Sequence, residues 1–386
     1  MTQRLISEAW RDFGPFEDHV WLNCAHQGAL PKVAAAELIE ALGWKVAPHH
    51  LTTSEKFQAT PQRLRSALGR LVNVPAEEII LGNSTSYGLH LLANGIPWKK
   101  GEEVLLVRGD FPSCIMPWLA LQKQGVNVRF IEPRNHVLQA EELAQNVSPR
   151  SKLLCTTWVH SFSGHAIDAN EIGKVCRANN VNFVLNCTQA LGARPLDLSS
   201  TAIDAVVCGG HKWLCGPYAT GFCWMRRELL DSLEYNQAYW LATQTADDLG
   251  QKQSDDSLLH DLGARAYDVF GTANFFNFKT WSASIEYLLS LRIDEIADYD
   301  SALVSRFING IDLEKYELIS PKDGFARSTL IFISHRRPEL NREIYETLKQ
   351  AKVDIAYRRG NLRLSPHLYN TADDIDRAVS ILNSVS

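Results

Sequence analysis

The chain has 386 residues, 45% of them hydrophobic, and a formal net charge of −5 from 39 basic and 44 acidic side chains. That length exceeds the roughly 250–300 residues one core normally fills, so two lobes with a cleft between them are expected. There is no basic surplus to favour nucleic acid or an anionic membrane, no apolar run of the roughly 20 residues a span needs, and no secretory signal in the opening MTQRLISEAW, so a cytoplasmic protein acting on a small molecule is expected.

Short apolar runs recur along the chain: EIILG (78–82), EEVLLV (102–107), NVRFIEP (127–133), KLLCTTW (152–158), NFVLN (182–186), DAVVCG (204–209) and TGFCWM (220–225). Helical spacing in the intervening EELAQNV and ANEIGKVCRANN makes these crossover helices, and strands alternating with helices predict a doubly wound, mostly parallel seven-stranded sheet. The link from Lys212 to Thr220 is too short for a helical crossover, so the last run is expected to be the one antiparallel strand. From about residue 265 the pattern changes to a long helical stretch, STLIFISH, a helix, VDIAY, NLRLS and a final helix opened by a Thr371–Asp374 capping box. The expected organisation is an N-terminal segment (1–30) packing with the small domain and the active site, a large α/β domain (31–265) and a smaller α+β domain (266–386). The eight cysteines form no C-x-x-C pair and no metal-ligand spacing with histidines, so they read as reduced, mostly buried thiols, and no metal site is expected.

Ligands of open α/β sheets bind beyond the carboxyl ends of the strands. The loops that fall there are GNSTSYG (82–88), RGDFPS (108–113), WVHSFSG (158–164), NCTQALG (186–192) and GGHKW (209–213). GNSTSYG leads into a helix and offers hydroxyls and backbone N–H groups either to a phosphate or to plain helix capping. In GGHKW, Lys212 follows a buried strand beside His211, either snorkelling to solvent or in use as an amine. A phosphate cradle, an aromatic face, an anchor for a ring nitrogen and an amine able to form a Schiff base are together what pyridoxal phosphate requires.

In this order of motifs the chain resembles the class V aminotransferase family of fold-type I pyridoxal-phosphate enzymes, which includes cysteine desulfurases, selenocysteine lyases, kynureninases and isopenicillin N epimerase. The resemblance runs from LNCAHQGALP (22–31) to LRLSPHLYNTADDID (362–376). It implies that Lys212 holds the cofactor as a Schiff base, that Thr85 and the amide of Ser86 bind its phosphate, and that His211 and Gln189 lie near the phosphate and O3′. It also places Phe111 over the pyridine ring, where the alternative is a core phenylalanine. Arg363 would fork onto the substrate carboxylate, where the alternative is a strand arginine in a surface ion pair. Asn23 and His26 would line the substrate side, where the alternative for His26 is a satisfied structural histidine. Thr272 in FGTAN would reach the partner's phosphate across a homodimer with a shared active site.

Three positions depart from the family pattern. Asn186 stands where the family has an aspartate at the pyridine nitrogen; a neutral amide can hydrogen-bond to that atom but cannot stabilise its positive charge. Ser161 stands in place of the O3′ asparagine. No cysteine lies near IAYRRGNLR (355–363), where cysteine desulfurases carry the thiol that accepts sulfur; Tyr357, Arg358 and Arg359 there either read an anionic side chain or form a solvated basic turn. The expected activity is Cα deprotonation of an amino acid ending in transamination or β-elimination of the C–S lyase type. An epimerase is the alternative among enzymes, and a non-catalytic pyridoxal-phosphate-binding regulator the alternative outside them.

Overall fold

The computed structural model describes residues 6–51, 54–234, 262–271 and 274–385. Its large sheet is built from β1 (Ile79–Gly82), β2 (Glu103–Val107), β3 (Asn127–Ile131), β4 (Ser151–Thr157), β5 (Asn182–Asn186), β6 (Ala205–Gly209) and β7 (Gly221–Met225), in the spatial order β1-β7-β6-β5-β4-β2-β3. Neighbours are parallel except β7, which runs antiparallel to both β1 and β6, as the short link after Lys212 predicts. Apolar side chains are buried on both faces of this sheet, which explains why its strands read as unbroken apolar runs. Val206 packs with Leu81, Leu105, Leu154 and Leu185 on one face, and its neighbour Val207 packs with Ile80, Leu106 and Val184 on the other.

Helices cover both faces: α1 (Lys32–Val46), α2 (Ser54–Val72), α3 (Thr85–Gly95), α4 (Ala169–Ala178) and α5 (Phe275–Leu291). Helix α5 buries Phe278, Trp281, Ile285 and Leu288 in the same core as the large sheet, although it lies in the C-terminal part of the chain. Then come α6 (Ile293–Gly310), β8 (Tyr316–Leu318), β9 (Ile331–His335), α7 (Asn341–Gln350), β10 (Ala356–Arg358), β11 (Asn361–Leu364) and α8 (Ala372–Ser384). The four strands form an antiparallel sheet, β10-β11-β9-β8, with its own core of Phe307, Ile331, Ile344, Leu364 and Leu382. The capping box at α8 is present: Asp374 N donates to Thr371 Oγ1 and Thr371 N to Asp374 Oδ2.

The N-terminal segment ties this small lobe to the rim of the large sheet. Val20–Trp21 pairs parallel with Val353–Asp354, and Asn23 bridges to Ser365. Gly28 N then donates to His211 O at 2.9 Å, so close that a Cβ on Gly28 would fall 2.0 Å from Lys212 O. Only glycine lets the two loops touch there. All eight cysteines are free and buried, as expected from their apolar surroundings. No described helix is long and apolar enough to cross a membrane, and no group of His, Cys, Asp and Glu among the described residues is arranged to hold a metal.

Candidate active site

Gly82, Gly221 and Gly209 stand side by side in register at the carboxyl edge of the sheet. A Cβ on Gly221 would meet the Ser84 backbone at 2.7 Å, so this bare edge is what lets the start of α3 settle over the strand ends. Ser84 is the N-cap of α3, its hydroxyl accepting from Tyr87 N at 3.1 Å. The amides of Thr85 and Ser86 fall in the first turn, where no intrahelical acceptor exists and the helix end is positive. The capping reading of GNSTSYG holds through Ser84, and Thr85 and Ser86 line, with Ser84, a cavity of about 180 Å³. Thr85 Oγ1 is 2.6 Å from Thr188 Oγ1, which accepts from Gly209 N at 3.1 Å.

Lys212 and His211 enter the same cavity from the loop after β6. Burial, together with the nearby Arg363 guanidinium, lowers the Lys212 amine to about 8. The His211 imidazole is lowered to about 4 by burial and by the Lys212 charge, so it is neutral near pH 7, and it stacks on Tyr218 with centroids 4.7 Å apart. Phe111 is 37% exposed and its ring centre lies 5.5 Å from Lys212 Nζ, so it walls the cavity and is not a core residue. Phe162 stacks behind it at 6.2 Å.

Asn186 ends β5 at the floor of the cavity. Its Oδ1 accepts from Thr188 N at 3.0 Å, and its Nδ2 donates to Cys114 Sγ at 3.1 Å. Gln189 lines the cavity too, but both ends of its amide are engaged: Nε2 donates to Ala25 O and Oε1 accepts from Trp213 Nε1, each at 3.1 Å. Ser161 is buried and also lines the cavity.

β11 and the N-terminal segment bring Arg363, Asn23 and His26 together within electrostatic reach of Lys212, although none of the three lines the cavity itself. Arg363 is 3% exposed, with Nη2 directed at Asn23 Oδ1 at a long 3.5 Å and Nε without any hydrogen-bond partner among the described residues. It is no surface ion-pair arginine. Burial and the Arg358 charge push its guanidinium down to about 9. His26 is exposed beside this group, lowered by partial burial and by Arg358, Arg363 and Lys212. Thr272 lies outside the described residues.

Residues not anticipated from the sequence are Ser84, Ser113, Thr157 and Thr188, which also line the cavity, and Cys114, which holds the Asn186 amide. Thr188 was legible in principle, being two positions past Asn186 within NCTQALG. Cys114 was not, since only the fold brings the loop after β2 under β5. A second support comes from the small lobe: His367 donates from Nε2 to Trp213 O at 3.2 Å, while its Nδ1 is 2.8 Å from Asp300 Oδ2.

The donor set fits pyridoxal phosphate. A helix N-terminus with hydroxyls suits its phosphate, Phe111 offers a ring face, and a buried amine and a side-chain amide face the space between. Fold and site together define a fold-type I pyridoxal-phosphate enzyme. The chain belongs to the class V aminotransferase family, whose model matches residues 29–378. A "probable cysteine desulfurase" of Methanothermobacter thermautotrophicus is 25% identical over 290 residues, 74% of this chain and 70% of that one. "Uncharacterized aminotransferase YcbU" of Bacillus subtilis is 23% identical over 97% of this chain and 96% of its own. Among solved structures, a C-DES mutant with glycine covalently linked to the PLP cofactor superposes with a TM-score of 0.87 at 19% identity, covering 97% of this chain and 99% of that one. The cystine C–S lyase C-DES with its product cysteine persulfide gives 0.85 at 20% identity over 96% and 98%.

Proposed function

We propose that this chain is a pyridoxal-phosphate lyase that removes the Cα proton of an amino acid and expels a leaving group from Cβ. When bound, the cofactor supplies an aldehyde for amines and a conjugated ring that takes up an electron pair. The observation that carries the reading is the orientation of Asn186. Its oxygen is taken by the Thr188 N–H, so Nδ2 is the end left to face the ring nitrogen. A donor there matches an unprotonated nitrogen, which draws electrons less strongly than a protonated one.

Elimination suits such a site, because the electron pair released at Cα forms the Cα=Cβ bond while the pair of the breaking Cβ–substituent bond departs with the leaving group. Lys212 anchors the cofactor and, once displaced by substrate, takes the Cα proton on Nζ; an amine lowered to about 8 is matched to that work near neutral pH. Arg363 fixes the α-carboxylate, with its unpartnered Nε and loosely held Nη2 free to form a forked contact. Thr85, Ser86 and the α3 N-terminus hold the phosphate, His211 supports it as a neutral imidazole, and Phe111 covers the ring. Every cysteine is buried, including those nearest the site, so the expelled group leaves free and is not carried on an exposed thiol.

The C–S lyase and desulfurase names of similar proteins favour elimination, and the active unit is expected to be a homodimer acting on a small amino acid. Helix α1 carries Ile39, Leu42 and Val46, 70%, 52% and 76% exposed and spaced to share one face, which a second copy of the chain would cover. The test is product analysis with β-substituted amino acids. Pyruvate and ammonia in equal amounts, without added 2-oxo acid, are expected; amino-group transfer to a 2-oxo acid without pyruvate overturns the reading.

A further inference from the structure

The strands whose arginines act on Lys212 hold more positive charge than one carboxylate calls for. β10 and β11 pair antiparallel with Ala356 opposite Arg363 and Arg358 opposite Asn361. Side chains alternate across a strand, so Arg358 lies on the same face as Ala356 and is the diagonal neighbour of Arg363. The other two corners of this quartet are Asn361 and the small, buried Ala356. Arg358 spends one Nη1 N–H on the Tyr357 carbonyl at 3.0 Å and has no carboxylate partner among the described residues.

Neither has its surroundings. The charges acting on His26 are those of Arg358, Arg363 and Lys212, and those acting on Arg363 are Arg358 and the Cys24 thiol; no carboxylate is among them. Asp110, in the rim loop RGDFPS, is buried and already accepts four hydrogen bonds, from Phe111 N, Thr156 Oγ1, Thr157 N and Thr157 Oγ1. Arg359 closes the turn with a left-handed backbone, φ 48°, donating to Gly109 O at 3.2 Å and lying 3.6 Å over the Phe162 ring that backs Phe111. The turn is thereby tied to the loop after β2 and to Phe162, although Arg359 itself is exposed.

An uncompensated cluster of this kind is costly unless an anion completes it. We propose that the substrate is an α-amino acid bearing a second anionic group on a short side chain, its α-carboxylate on Arg363 and its side-chain anion on Arg358. This rests on the reading of the cavity as an amino-acid site. Diagonal neighbours on a sheet stand roughly 7–8 Å apart. Two long guanidinium side chains converging from that separation can grip the two acids of one short molecule.

The test is a pair of isosteric probes, L-aspartate and L-asparagine, titrated into the purified holoenzyme while the cofactor absorbance is followed. Aspartate is expected to bind at least about tenfold tighter, the value of one partly desolvated charge pair. Arg358→Gln should bring the two dissociation constants within about twofold of each other by weakening aspartate alone, and Arg358→Lys should keep part of the preference. Equal binding of both probes to the native protein, or a preference that survives Arg358→Gln, overturns the inference and leaves the amino-acid site standing. A protein that binds the cofactor yet responds to neither probe, nor to any other amino acid, overturns the functional reading and this inference with it.

Discussion

Thr188 N donates to Asn186 Oδ1 at 3.0 Å, and because a backbone amide can only donate, this contact fixes the Asn186 side chain with its NH2 end away from Thr188. One N–H of that end goes to Cys114 Sγ. The other is the polar group that Asn186 offers to the floor of the cavity.

Asn186→Asp keeps the Thr188 contact on one oxygen and puts a second oxygen where the NH2 stood. A carboxylate in that place favours a protonated ring nitrogen, typically raising such a pKa by roughly 1–3 units. The stronger electron sink should increase transamination as a side reaction even if the native reaction slows. The measurement is pyridoxamine phosphate formed per native turnover with the same amino acid. An equal or smaller ratio in the variant means another group sets that protonation and removes the argument for elimination.

Borohydride reduction followed by peptide mapping should place the pyridoxyl mass on Lys212. The amine, lowered to about 8 chiefly by burial, is protonated below that pH and nucleophilic above it. Cofactor uptake by the apoprotein should therefore accelerate as pH rises and reach half its maximum near 8, well below the 10.5 of an exposed lysine. A label on a different lysine would falsify the assignment.

What could be read in advance was what lies on one strand or in one loop. Seven apolar runs, the short link after Lys212 and the capping box of α8 are local patterns, and the structure repeats them. The order β1-β7-β6-β5-β4-β2-β3 is not local, nor is the Cys114 contact to Asn186, which spans 72 positions. The same limit explains the arginines. Arg358 and Arg363 look like separate charges in IAYRRGNLR until strand pairing sets them diagonally on one face. Burial decided the rest: the motif singles out Arg363, but only the fold shows that it is 3% exposed, unlike the solvent-paired arginines Arg306 and Arg342.

Arg363→Ala should leave the cofactor bound while raising KM and lowering kcat/KM. Loss of a buried, charge-assisted carboxylate contact costs roughly 2–5 kcal/mol. Arg363→Lys should recover only a part, because one ammonium cannot reproduce a fork. Cofactor release with unchanged substrate affinity would assign Arg363 to the scaffold.

The His367–Asp300 pair is fully buried, and it ends on the carbonyl of the residue after Lys212. Burial alone lowers an imidazole, but Asp300 at 2.8 Å and the Cys215 sulfur override it and raise His367 to about 10. A group raised from 6.5 to about 10 adds stability that is complete below about 6.5 and is lost as pH climbs through 10. The native protein should therefore lose stability between pH 7 and 10. Asp300→Asn removes the counter-charge, so its imidazole should be neutral throughout that range and the decline attributable to His367 should vanish. At pH 7 breaking a buried pair costs about 3–5 kcal/mol, the asparagine falling at the low end because its oxygen still accepts from Nδ1. Urea denaturation of both apoproteins at several pH values gives the two slopes, and cofactor uptake reports whether the Trp213 carbonyl still holds the Lys212 loop. A variant that declines with pH as steeply as the native chain would show that His367 is neutral in the folded protein and that the loop is held by shape, without the charge.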